Sequence, residues 1–108
     1  MSEMVRATLR LTVPPGREEA FERAWQAVAA EVRRTPGSLR QALLRDPGEP
    51  GAFVVTSDWE TAEAFQAFER SPEQDALTAP LRALRTSASM SVHKLVVHLE
   101  REIPCPHE

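Results

Sequence analysis

Between Ser38 and Trp59 the sequence reads S-L-R-Q-A-L-L-R-D-P-G-E-P-G-A-F-V-V-T-S-D-W. The first part, Ser38 to Asp46, alternates as a strand does, with Leu39, Gln41 and Leu43 on one side. The last part, Ala52 to Trp59, is rich in the β-branched and aromatic residues that favour strands. The segment between them, Asp46 to Gly51, consists mainly of proline and glycine, which favour turns. The stretch therefore predicts an antiparallel β-hairpin.

The segment before this hairpin predicts a strand followed by a helix. Val5 to Val13 reads V-R-A-T-L-R-L-T-V, and its apolar and polar residues alternate with the period of a half-buried strand. Thr35 to Gly37 then precedes the hairpin and contains the helix-stopping pair Pro-Gly. Between them, large apolar residues recur at helical spacing, and these residues are Phe21, Trp25, Val28 and Val32.

The segment after the hairpin predicts a second helical region and a last strand. Thr61 can cap a helix, and Ser71 to Glu73 provides a new cap, a proline at the first helical position and an acid in the first turn. The core-facing residues of this region are predicted to be Ala64, Phe65, Phe68, Leu77, Leu81 and Leu84. Met90 to Glu100 is predicted as the last strand, and Arg101 to Glu108 as a loose tail.

The order β-α-β-β-α-β predicts the fold class. It is typical of the ferredoxin-like α+β class, a four-stranded antiparallel sheet with helices on one face. Residues 1–100 are expected to form one domain, followed by a tail at 101–108. Because helices cover only one face, the other face needs a cover, and a second copy of the chain is the simplest one. We therefore expect a homodimer.

Composition narrows the classes of function. The chain has 108 residues, a net charge of −3 and scattered arginines, which argues against a nucleic-acid partner. No apolar run approaches the length of a membrane span, so we expect a cytoplasmic protein with no membrane partner. One cysteine, three dispersed histidines and the lack of a glycine-rich phosphate loop predict no metal and no bound cofactor. The absence of tyrosine excludes a phenolic side chain as a catalytic acid.

Three motifs carry a family resemblance. Pro36-Gly37 precedes the second strand, D-x-x-x-P spans Asp46 to Pro50, and W-E-T-A-E-A-F-Q-A-F-x-x-S-P-E runs from Trp59 to Glu73. With this order of elements, the chain resembles the antibiotic biosynthesis monooxygenase family over roughly Val5 to Leu99. The resemblance implies a dimeric α/β barrel and, in each subunit, a ligand pocket between sheet and helices.

The resemblance implies several possible chemistries, because the family includes cofactor-free oxygenases of aromatic polyketides, quinol oxygenases, heme-degrading enzymes and members without known activity. Many members have a histidine at the position of Phe68. The heme-degrading branch has an asparagine at the position of Leu9 and a heme-binding histidine at the position of Thr78. Heme degradation is therefore not expected for this chain.

Two residues are candidates for the chemistry. Apolar alternation predicts that the helix-facing side of the last strand carries His93, whose ordinary pKa suits a general base near neutral pH. A purely structural histidine is the alternative. A register slip of one residue would place Lys94 there instead. Gln41 is predicted as a polar group in an apolar pocket, where it could orient a ligand or bond to backbone.

The substrate-binding candidates are the aromatic and polar residues expected on the same side of the sheet or on the helices. The aromatic rings could stack on a flat ligand or belong to the core, and the arginine could bind an anionic group or lie on a solvated helix face. These candidates are Trp59, Trp25, Phe65, Phe68, Leu9, Ser57 and Arg82. Arg6, Arg10 and Arg40 share the open sheet face, where we expect ion pairs with glutamates across the dimer.

The leading functional hypothesis, taken from the resemblance, is a cofactor-independent monooxygenase that acts on an aromatic polyketide or a similar polycyclic phenol with O2. His93 would be the base, Gln41 an orienting donor, and the aromatic rings the walls. A cyclase or isomerase without O2 use is one alternative. A non-catalytic dimeric ligand-binding protein is the other.

Overall fold

The computed structural model describes residues 3–102, which form four strands and three helices. The strands pair antiparallel in the order β2-β3-β1-β4. The ferredoxin-like α+β fold predicted from the sequence is confirmed, and the second helical region consists of two helices. In chain order the elements are β1 (Val5–Thr12), α1 (Glu18–Val32), β2 (Ser38–Arg45), β3 (Ala52–Trp59), α2 (Ala62–Arg70), α3 (Pro72–Leu84) and β4 (Ser87–Lys94). No helix within the described range is long and apolar enough to cross a lipid bilayer.

The core lies between one face of the sheet and the helices. Alternation along β1 directs Val5, Ala7 and Leu11 to this face, where all three are buried. Phe21 of α1 is completely buried, with its ring centroid 5.2 Å from that of Phe53 on β3. Burying a side chain of this size stabilises the fold by roughly 1.5–3 kcal/mol. The helix stripe predicted from sequence spacing thus packs on the predicted side of β1.

The Pro36-Gly37 pair fits a tight contact between α1, β3 and α2. Gly37 has φ +88°, and a Cβ there would lie 2.5 Å from the Cβ of Ala64. Its carbonyl accepts a hydrogen bond of 2.8 Å from the backbone N–H of Glu60. Only glycine tolerates this combination of backbone angle and close approach. The turn therefore brings the end of α1 against the junction of β3 and α2.

Ser71 joins α2 to α3. Its hydroxyl donates to the carbonyl of Phe68 at 2.9 Å and accepts from the backbone N–H of Gln74 at 3.0 Å. Pro72 follows at the first helical position, where a missing N–H costs nothing. Thr61 caps α2 in the same way by accepting from the N–H of Ala64. Both caps agree with the sequence prediction.

The last strand differs from its predicted bounds of Met90 to Glu100. It runs over Ser87–Lys94 because it pairs with the whole of β1, from Ser87 opposite Thr12 to Lys94 opposite Val5. The residues that follow Leu95 in the described chain extend beyond the end of β1 and form no strand. The start at Ser87 was missed because small polar residues have low strand propensity. Of the predicted tail, residues 101–102 have no regular structure, and 103–108 lie outside the described residues.

The register of the sheet corrects two predictions about which way side chains face. His93 pairs with Arg6, so it lies on the open face and not on the helix-facing side with Ala7. In β2 the register shifts between Ser38 and Arg40, which leaves Leu39 as an extra, exposed residue. Gln41 and Leu43 follow this bulge and remain on the predicted side.

The open face of the sheet centres on an ion triad within one chain. The carboxylate of Asp58 accepts from Arg6 at 2.7 and 2.9 Å and from Arg40 at 2.5 Å. Asp58 is 3% exposed, while the two arginine side chains are 49% and 59% exposed. Hydrogen bonds from Arg6, aided by Arg40, lower the pKa of Asp58 against the opposing effect of burial. Arg6 and Arg40 thus pair with an aspartate of their own chain. The ion pairs with glutamates across a dimer stay a prediction.

Asp58→Asn should destabilise the fold, because two guanidinium groups would then face a neutral amide. We expect the free energy of unfolding at pH 7 to fall by about 1–3 kcal/mol. Because the pKa of Asp58 is lowered in the folded state, its contribution is present at neutral pH. It diminishes as the pH falls below about 4 and through the folded-state pKa, so the variant should then approach the wild type.

Urea unfolding at one protein concentration measures this effect. Glu22→Gln is the matched control, since it breaks the more exposed ion pair between Glu22 and Arg45. That variant should change stability by less than about 1 kcal/mol. Equal stability of Asp58→Asn and wild type at pH 7 would contradict the role assigned to the triad.

Candidate functional site

An apolar cavity of about 390 Å³ lies between the helices and the helix-facing side of the sheet. Its size falls within the range of about 300–1,000 Å³ that is typical of small-molecule sites. Leu9 lines it from β1, as predicted, and Trp25 lines it from α1. The cavity reaches the outer edge of the sheet at β4, where Met90 is 48% exposed. The other apolar lining residues are Ala7, Leu11, Phe21, Val28, Val32, Val55, Trp59, Phe65, Phe68, Leu81 and Ala88.

Three aromatic rings form one wall of the cavity. The ring centroid of Trp59 lies 5.0 Å from that of Phe68 and 5.8 Å from that of Phe65, with tilted planes. Trp59 is 1% exposed, so most of its indole belongs to the core. The residue nevertheless lines the cavity. The wall provides flat, rigid apolar surface of the kind that stacks on aromatic ligands.

Two polar side chains stand side by side on the sheet within the cavity. Gln41 and Ser57 are opposite each other in the β2–β3 ladder. The amide nitrogen of Gln41 donates to the carbonyl of Ala29 at 3.1 Å, which leaves its amide oxygen as an acceptor. The hydroxyl of Ser57 accepts from the indole N–H of Trp59 at 3.0 Å, which leaves its own proton to donate. The pair therefore offers one donor and one acceptor to a ligand.

The polar rim of the cavity comes from α2, α3, the turn after α3 and β4. Arg82 reaches the lining, as predicted, and hydrogen bonds to Thr78 and to the backbone carbonyl of Asp75 hold it in place. The rest of this rim was not predicted from the sequence, and it consists of Glu69, Gln74, Thr78, Arg85 and Ser89. Gln74, Thr78 and Arg85 follow helical spacing with Arg82. The leucine spacing in the same segment predicts the core-facing side of α3, so these polar residues are expected in solvent.

His93 does not line the cavity. It is exposed on the open face, opposite Arg6, so it has no access to a ligand held between sheet and helices. Lys94 has the parity that a one-residue slip predicted, yet it pairs with Glu3 at the end of the strand, away from the lining. The predicted placement of His93 in the cavity is therefore wrong. Within residues 3–102, no three histidine, cysteine, aspartate or glutamate side chains cluster closely enough to bind a metal.

The sheet order, the helices on one face and the aromatic-lined cavity define a ferredoxin-like α+β protein with an apolar site between sheet and helices. The chain belongs to the antibiotic biosynthesis monooxygenase family, whose model matches residues 4–79. This confirms the resemblance seen in the Pro36-Gly37 and Trp59 to Glu73 motifs.

A solved structure with a similar fold is that of SnoaB, a cofactor-independent oxygenase from Streptomyces nogalater. It is 27% identical to this chain, with a TM-score of 0.81, and the match covers 93% of this chain and 100% of that one.

Two curated relatives are similar in sequence. A 42.8 kDa protein in the whiE locus of Streptomyces coelicolor is 31% identical over 77 residues, which is 71% of this chain and 19% of the relative. The match thus spans about a fifth of that relative's length. A mycobilin-producing heme oxygenase of Mycobacterium tuberculosis is 41% identical over 63 residues, 57% of this chain and 59% of the relative.

Filling the cavity should weaken the binding of flat ligands. Val55 lines the cavity from β3, and Val55→Phe adds a ring where a ligand would lie. We expect the affinity for a hydroxylated anthraquinone to fall about tenfold or more, in line with the cost of about 1–3 kcal/mol for inserted bulk. Quenching of tryptophan fluorescence measures binding, since Trp25 and Trp59 both line the cavity.

Ala79→Phe serves as the control, because Ala79 is exposed on α3 and outside the lining. This variant should bind like the wild type. Unchanged affinity in Val55→Phe, with the fold intact by circular dichroism, would show that the ligand binds elsewhere.

Proposed function

We propose that the chain is a cofactor-independent oxygenase that oxidises an electron-rich polycyclic phenol, of the kind found among aromatic polyketides, with O2. The aromatic-lined cavity carrying Ser57 and Gln41 is the observation that supports this most directly. The similarity to SnoaB, a cofactor-independent oxygenase, adds to it. In this proposal the protein supplies binding, orientation and hydrogen bonds, and the substrate supplies the electrons.

The aromatic wall formed by Trp59, Phe65 and Phe68 would bind the rings of the substrate. A flat ligand stacked there would bring its oxygen atoms towards the sheet, where Ser57 and Gln41 stand. Ser57 would donate to a substrate oxygen that gains negative charge, and the indole N–H of Trp59 would support Ser57 from behind. The amide oxygen of Gln41 would accept from a neighbouring phenol group.

Proton removal needs a new candidate, since His93 lies on the other face. Glu69 is the carboxylate in the described lining, and it stands at the rim where water can enter. We assign it as the acceptor of the substrate proton. Arg82 at the same rim would favour the phenolate through its positive charge. The base is then an exposed side chain that acts on an acidic substrate.

The proposed reaction balances without a cofactor. The deprotonated substrate passes one electron to O2, and the resulting radical pair combines into a hydroperoxide at a ring carbon. Loss of water converts that CH2 carbon into a carbonyl, so that one CH2 group and one O2 give one C=O group and one H2O. One oxygen atom of O2 enters the product. The other leaves as water, and the substrate supplies the electrons that reduce it.

Ser57→Ala should slow this reaction more than it weakens binding. The hydrogen bond from the Ser57 hydroxyl is strongest when negative charge develops on the substrate oxygen in the transition state. We expect kcat to fall about a hundredfold, the usual effect of losing one such donor, with little change in Kd. The assay is O2 consumption above the uncatalysed rate with a hydroxylated anthrone, and isotopically heavy dioxygen identifies the inserted atom.

Ser91→Ala is the matched control, since Ser91 lies on the open face opposite Thr8. It should leave kcat unchanged. Conversion without O2 uptake would favour the cyclase or isomerase alternative. Binding without conversion would favour a non-catalytic ligand-binding protein. Either outcome contradicts the oxygenase proposal.

Heme degradation is not part of the proposal, despite the heme oxygenase among the relatives. The family resemblance places Leu9 and Thr78 at positions where the heme-degrading branch has an asparagine and a histidine. In the described cavity lining there is no histidine. The residues present therefore do not fit a histidine-bound heme.

We also propose that the chain is a homodimer that covers its open sheet face with a second copy. Helices lie on only one side of the sheet, and Leu44 is 49% exposed on the other. The centre of this face carries Arg6, Arg10 and Arg40 against one carboxylate, Asp58. A stable dimer of this kind should bury at least about 1,000 Å².

Sedimentation tests the dimer. Wild type should sediment as a dimer at micromolar concentration, and Thr56→Arg should shift it towards monomer, because it adds a cation to the cationic centre of the face. Ala79→Arg adds the same charge on exposed α3 and should have no effect. A wild-type monomer at this concentration would refute the dimer.

A further inference from the structure

The two arginines that line the cavity differ in their ion-pair partners. Arg82 is engaged by its own helix, since its guanidinium lies 3.3 Å from the carboxylate of Asp75 and bonds to the backbone there. Arg85 also lines the cavity, yet no carboxylate among residues 3–102 lies within 4.0 Å of its guanidinium. Glu69, across the rim, is not paired with it. Arg85 is therefore a cation at the cavity without a protein counter-ion in this part of the chain.

The backbone fixes where this cation stands. Arg85 is the first residue after α3, and its N–H donates to the carbonyl of Leu81 at 3.2 Å. The next residue, Thr86, donates its N–H to the carbonyl of Thr12 at 2.8 Å, which joins this turn to the end of β1. Arg85 is thus held between two anchored points, and it is half-buried. Arg82 lies three residues earlier and lines the same cavity.

We propose that Arg85, supported by Arg82, is an anion-binding subsite and that the ligand of this cavity is an aromatic acid. This inference rests on the proposed function, and it narrows the substrate from any polycyclic phenol to one that carries a carboxylate at one end. The rings stack on the wall of Trp59 and Phe68. The carboxylate pairs with the planar fork of Arg85, whose donors match its two oxygens.

The subsite also sets the orientation of the ligand. Ser57 lies on the central strand β3 and Gln41 on the edge strand β2, whereas Arg85 and Met90 lie on the other side of the sheet, where the cavity reaches the edge strand β4. A carboxylate held at the edge directs the opposite end of the ring system towards Ser57. The arginine therefore selects which ring carbon faces the polar pair, and it does so without touching the reacting atoms.

The test compares two ligands with the same rings, an anthraquinone carboxylate and the matching carboxamide, by quenching of tryptophan fluorescence. Wild type should bind the carboxylate about three- to tenfold more tightly, the range expected for a partly exposed charged pair. Arg85→Gln should remove this preference and leave the affinity for the carboxamide unchanged. Raising the salt concentration should weaken only the carboxylate complex.

Arg33→Gln is the matched control, because Arg33 is an exposed arginine at the end of α1, outside the cavity. It should keep the preference for the carboxylate. Arg85→Lys should keep part of it, since the charge stays and the two-pronged contact is lost. Equal binding of both ligands to wild type would overturn the subsite and leave the proposed function intact.

Two further outcomes separate the inference from what it rests on. If neither ligand binds to wild type, the aromatic cavity does not take flat polycyclic ligands, and the proposed function falls together with the subsite. If Arg85→Gln weakens both ligands equally, Arg85 acts by holding the end of α3 in place, and the anion-binding role is refuted.

Discussion

The buried Trp59 indole connects the sheet to α2 and also lines the cavity, so the arrangement of all three depends on it. The residue ends β3, and its ring packs against Phe65 and Phe68 of α2 while its N–H bonds to Ser57. A large aromatic group buries well only if its one polar atom finds a partner. That partner here is a hydroxyl facing the cavity, so the same contact that holds the core together also orients a polar group for a ligand. The hydrogen bond from the Trp59 indole to Ser57 thus serves both the packing of the core and the proposed binding of a ligand.

Much of the fold could be predicted because local patterns agree with tertiary structure in this chain. The alternation of Val5 to Val13 identified the buried side of β1, and the caps at Thr61 and Ser71 were visible as residue types. The walls of the cavity followed from the same patterns. Trp59, Phe65 and Leu9 are large and apolar, and they lie at the spacing that points them inward.

The last strand could not be predicted in the same way. Its first residues, Ser87 to Ser89, are too small and polar to resemble a strand, and its pairing is set by β1, more than seventy residues away in sequence. An error of one residue in register reverses every side chain, which is how His93 was placed in the cavity. The cationic rim was missed for a different reason. An arginine at a helix end has the same sequence pattern whether it faces water or a cavity.

The junction at Ser71 limits how this scaffold can vary. One residue both closes α2 and caps α3, so there is no spare loop between the helix that carries the aromatic wall and the helix that carries the rim. An insertion at this point would break both sets of hydrogen bonds and rotate Gln74, Thr78 and Arg82 away from the sheet. A change of ligand preference through α3 is therefore limited to exchanging side chains at constant length.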